Sequence, residues 1–89
     1  MSDTLRKTHI DALRMATENA WDRAHALVQS HDDPMSCRIH GWLHRLEGDQ
    51  GNAAYWYRRA GESMPDNSVE AERRRLFDLL DDDNLLDDE

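Results

Sequence analysis

The 89-residue sequence predicts an all-α fold of antiparallel helical hairpins with a C-terminal capping helix, and three observations predict it. Apolar side chains recur at helical spacing from residue 5 to residue 80, and β-branched residues are few, so no segment alternates as a half-buried strand would. Boundaries at Asp33-Pro34, Gly48-Asp49 and Pro65 divide the second half of the chain into helix-length pieces. No Gly-rich or Ser-rich linker separates two bodies, so residues 1–80 read as one domain. A chain this short buries only about 60–65% of the surface its unfolded form exposes, which predicts modest stability.

Helix 1 is expected from about Thr4 to Ala16, capped by Asp3 or Ser2, with Leu5, His9, Ala12, Leu13 and Ala16 as its buried stripe. Thr17-Glu18-Asn19 is a break without Gly or Pro, so one continuous helix over 4–30 is the alternative; two helices are the preferred reading. Helix 2, about 20–30, carries Ala20, Trp21, Ala24, Leu27, Val28 and His31 on a wide apolar face. Asp33 then caps helix 3, about 34–47, with Pro34 at the first helical position, where its missing N–H costs nothing. Gly48 permits the left-handed turn that ends this helix, and Asp49 caps helix 4, about 50–62, whose inner side is Ala53, Tyr57, Ala60 and Met64. Pro65 stops helix 4. Asn67 with Glu70 approximates a capping box for helix 5, whose apolar stripe is Val69, Leu76, Phe77 and Leu80, with Glu70 and Arg74 paired on its other side.

Nineteen acidic and 11 basic residues give a net charge of −8, unevenly distributed. Residues 78–89 hold seven acids and no base, leaving 12 acids against 11 bases for residues 1–77. Phosphate binding needs a basic stripe, so nucleic acid is not the expected partner. Residues 81–89 are expected to form an acidic, disordered tail. The lone Cys37 excludes an internal disulfide and fits a reducing compartment. The N-terminal MSDTLRKTHI lacks the apolar core of a signal peptide, and no run approaches the ~18–20 apolar residues of a membrane helix. A soluble, cytoplasmic protein without a membrane partner is the expectation.

Residues 34–67 also carry a repeat pattern. Gly41, Ala53, Tyr57 and Pro65 fall on the G, A, F and P positions of W-x2-L-G-x2-Y, A-x3-F and P, and Ala60 sits where a second small residue belongs. The segment therefore resembles a tetratricopeptide repeat. The first helix departs from that pattern, because Cys37, His40 and His44 stand where the family places Trp, Leu and Tyr. NAWDRAHALV repeats the logic of NAAYWYRRAG, with Ala24 and Val28 in the places of Ala53 and Tyr57, which makes about 1.5–2 repeats plus a cap. About three repeats are usually needed to bury their faces, so self-association is a second way to cover what remains. The string HGWLHRLEGDxxNAAYWYRRAG also resembles a group of small uncharacterised bacterial proteins, a resemblance that implies no activity.

The resemblance implies a binding module rather than an enzyme, without a cofactor. Arg38, Trp42 and Arg45 lie at i, i+4 and i+7 on helix 3, where the family lines its ligand groove. Two guanidinium groups flanking an indole suit an acidic or C-terminal peptide segment of another protein. LLDDDNLLDDE is an acidic-hydrophobic segment that can occupy such a groove in its own chain or a neighbour's. The plainer reading of this stripe is a solvated face pairing with Glu47 or Asp49.

The alternative function is metal or ligand binding by His40 and His44, which share one helix face at i, i+4, with Glu47 a turn further and His25 of helix 2 as the nearest third ligand. Against it stands a pair of packed, hydrogen-bonded core histidines. A pH-sensing pair is a third reading. Tyr55, Trp56, Arg58 and Arg59 combine aromatic and basic character, but four residues of one turn point around the helix, and Trp56 is expected against helix 5 or a second subunit. Cys37, in the first turn of helix 3, is expected to be a buried structural cysteine rather than a nucleophile.

Overall fold

In a computed structural model the chain forms α1 (Asp3–Thr17), α2 (Trp21–Val28), α3 (Pro34–Leu46), α4 (Gln50–Arg59) and α5 (Val69–Asp87). The structure describes residues 3–87, with side-chain burial described for residues 4–81. No strand occurs among the described residues, and none of their helices is long and apolar enough to cross a membrane.

Helices α1 and α2 are separate, and Asn19 is what separates them. Its φ of 66° places it in the left-handed region, which Asn tolerates better than most side chains. Ala20 then donates its N–H to the Met15 carbonyl at 2.7 Å and Asn19 to Ala16 at 3.2 Å, so the last carbonyls of α1 are satisfied. The same pair of bonds closes α3 beyond Gly48, from Asp49 to His44 at 2.8 Å and from Gly48 to Arg45 at 3.1 Å. At the other end of α3, Asp33 accepts from the Ser36 N–H as expected. The expected caps of α1 at Ser2 and Asp3 lie outside the residues whose side chains are described.

Helix α3 is the centre of the fold. It packs against all four other helices, while α1 packs on α2 and α5 closes over α1 and α3. Ala12, Leu13, Ala24, Val28, Met35, Ile39, Trp42, Leu43, Leu76 and Leu80 make the apolar core. Fully burying each such Leu contributes roughly 1.5–3 kcal/mol. The backbone of α4 lies close to α3 alone. That approach is tight: a Cβ on Gly41 would stand 2.7 Å from Cδ2 of Tyr57 and 3.0 Å from the Ala53 carbonyl oxygen.

Helix α5 differs from its sequence reading in two ways. Its first turn is capped by Ser68, whose hydroxyl accepts from the Ala71 N–H at 3.0 Å, rather than by Asn67. Helical backbone is also described through Asp87, past the expected boundary at Leu80. Neither Gly nor Pro interrupts residues 81–87, and adding a residue to an existing helix costs far less than starting one.

Glu72 has a fully buried side chain on α5, a feature that the apolar spacing of this helix does not announce. It accepts from the Tyr57 hydroxyl at 2.8 Å, Asn67 at 3.0 Å and Arg75 at 2.8 Å. Burial by itself would push this carboxyl up, but the three donors outweigh it and hold the group below the ordinary carboxylate range. The network joins α4 to α5 where their backbones do not meet.

Candidate metal centre

Three imidazoles converge between α2 and α3. His40 and His44 lie one turn apart on α3, and His25 of α2 faces them; one ring nitrogen from each lies within 4.8 Å of the other two. The pair is brought together by helical periodicity, whereas His25 is delivered by the packing of α2 on α3. His40 is 3% exposed and His44 6%, while His25 is half-buried.

Two indoles hold the cluster from either side. Trp21 stacks on His25 with centroids 4.8 Å apart, and its Nε1–H donates to the Leu43 carbonyl at 2.6 Å, which fixes α2 to α3. Trp56 stacks on His40 at 3.8 Å. This differs from the expected packing of Trp56 on helix 5 or a second subunit, because Ala60 and Tyr57 already occupy the inner side of α4. Arg59 lies over the Trp56 ring at 4.9 Å and the Tyr55 ring at 5.9 Å, and the two rings meet edge to face at 5.2 Å, so three of the four residues of the aromatic-basic cluster do come together, with Tyr55 exposed.

The nitrogens are electronically prepared to donate. Glu47 lies 2.6 Å from Nδ1 of His44. A carboxylate only accepts, so Nδ1 carries a hydrogen toward Glu47, the contact that metal-binding histidines make with an outer carboxylate. Burial, then the charges of His25, His44 and Arg59, push the His40 imidazole down to about 3. Burial and the neighbouring His44 lower His25 as well. Both are therefore neutral at neutral pH, the form that binds metal. The cluster also holds an orphaned atom: Nδ1 of His40 is buried without a hydrogen-bond partner. A packed core histidine normally satisfies both nitrogens, since a lost partner costs about 1–3 kcal/mol.

Metal–nitrogen bonds of about 2.0–2.1 Å at tetrahedral angles put ligand nitrogens about 3.3 Å apart. The three nitrogens lie within 4.8 Å of one another, so metal binding would draw the rings together from their observed positions. The donor set is all imidazole, which suits late first-row transition metals over magnesium or calcium.

The Arg38, Trp42 and Arg45 stripe is covered from within. Trp42 is 2% exposed, and its indole donates to the Val69 carbonyl at 2.9 Å. Arg45 donates to the side-chain and backbone oxygens of Asn67, and Arg38 pairs with Glu62 at 3.4 Å. Helix α5 and the loop before it thus occupy the side where a peptide groove was expected. Cys37 is fully buried, and burial pushes its thiol up, away from a reactive thiolate.

His9 forms a separate polar site. Its Nε2 lies 3.0 Å from both Asp33 Oδ2 and Ser36 Oγ. Both contacts use one nitrogen, so the trio lacks the relay of a Ser-His-Asp nucleophile and instead ties α1 to the start of α3. The sequence places His9 on the buried stripe of α1 but does not reveal these partners, which lie 24 and 27 residues away.

No known protein family, curated protein or solved structure matches this chain in the comparisons made, so the site geometry carries the functional reading.

Proposed function

We propose that this protein binds a late first-row divalent transition-metal ion through His25, His40 and His44. The observation that carries the reading is the meeting of three imidazoles around a buried His40 whose Nδ1 has no hydrogen-bond partner. Glu47 orients His44 from the outer sphere, and Trp21 and Trp56 hold the other two rings. His44 also lies in the last turn of α3, where the helix dipole favours a cation.

A peptide-binding adaptor would need the Arg38, Trp42 and Arg45 side chains for its ligand, and all three are engaged within the fold. Metal binding asks for no such rearrangement.

Zinc titration of the full chain, followed by calorimetry and by histidine resonances, tests the proposal. One equivalent should bind saturably, with His25, His40 and His44 resonances moving together. His44→Ala should weaken binding at least tenfold. Binding that is unaffected by this change, or that moves only aspartate resonances, would place the ion on the acidic surface and overturn the reading.

A further inference from the structure

Resting on that metal reading, we infer that the bound ion keeps one coordination position open to a small exogenous donor at the α2 edge of the site. Among the described residues, no fourth His, Cys, Asp or Glu joins the three imidazoles within the same 4.8 Å. Glu47 and Asp49 gather with His44, but Glu47 is on its Nδ1, and the two nitrogens of an imidazole point away from each other. Glu47 therefore supports His44 and does not also reach an ion on Nε2.

Cys37 is no substitute, since its Sγ is directed to the Asp32 carbonyl at 3.6 Å, near the start of α3. A tetrahedral ion is left with three protein ligands, the number found where metal keeps a water rather than where it only staples a fold.

Burial says where that position faces. His40 and His44 are closed off, whereas His25 and Trp21 are half-buried and Asp22, Arg23 and Ala26 of α2 are exposed. Solvent therefore reaches the ion from the α2 side. The stacked indoles flank His25 and His40 on the two sides of the site, and among the described residues no fourth protein ligand stands near enough to fill the remaining position. Water fills it at rest, and stronger monodentate donors displace that water without any change in the protein ligands.

Cobalt(II) bound to the full chain tests this through its visible spectrum, which is intense for four-coordinate cobalt and weak for six-coordinate ions on surface carboxylates. Azide should shift the intense band saturably with clear isosbestic points. His25→Ala, at the half-exposed edge, should abolish the intense band while the far-ultraviolet circular dichroism stays helical. An intense cobalt band that azide does not change would overturn the open position and leave the metal reading intact. No intense band at all would remove both.

Discussion

Gly41 is the residue on which the closest helix contact depends. Alanine at this position would improve helix propensity by about 1 kcal/mol. Its methyl group, however, would enter the Tyr57 ring, which is fully buried and held at its far end by Glu72. The ring has no free direction in which to yield. Gly41→Ala should therefore destabilise by about 1–3 kcal/mol despite the better propensity, read as a lower urea midpoint at constant slope. The glycine stood out in the sequence through a resemblance to a repeat pattern; the steric reason for it needed the ring and the carboxylate together.

At the scale of the element, the start of α5 separates two neighbouring polar residues that look interchangeable in sequence. Ser68 makes the cap, and Asn67 bridges Arg45 to Glu72. Ser68→Ala should cost about 1 kcal/mol, the usual loss for an N-cap. Asn67→Ala should cost more, because it removes one donor to a buried carboxylate and one acceptor from Arg45. Thermal unfolding of the two variants side by side checks the order; a larger loss at Ser68 would return the capping role to first importance.

For the whole molecule, acid should loosen the fold through the same histidines that prepare the site. Well above pH 6.5, by about pH 7.5, neither the folded nor the unfolded state protonates His25 or His40 appreciably, so their contribution is flat. Below that value the unfolded chain takes up protons while folded His40 resists them down to about pH 3, and stability falls across this window. His40 alone should account for roughly 2 kcal/mol between pH 7.5 and 5, at 1.36 kcal/mol per pH unit. Urea denaturation at the two pH values should show this loss, and His40→Leu should flatten it. Zinc should raise the midpoint at pH 7.5, by about 2.7 kcal/mol at a free concentration 100 times its dissociation constant, and lose its effect as protons compete for the nitrogens. Equal slopes in both proteins would show that His40 does not carry the acid sensitivity.

Local chemistry was enough to determine the all-α class, the starts of α3 and α4 at Asp33 and Asp49, the turn at Gly48, and the His40–His44 pair, because caps and i, i+4 neighbours act within a turn or two of the chain. The break at Asn19 was readable only as a weakness, since Asn permits a left-handed turn without demanding one. Tertiary structure decided which way each face of α3 turned. One stripe of it had been read as a ligand groove, yet Trp42 lies in the core and Arg45 on the loop before α5, because apolar area and unpaired donors find partners wherever packing supplies them. Packing likewise delivered His25 to the histidine pair and Glu72 to Tyr57, contacts that span 15 or more residues and are fixed by burial rather than by spacing along the sequence.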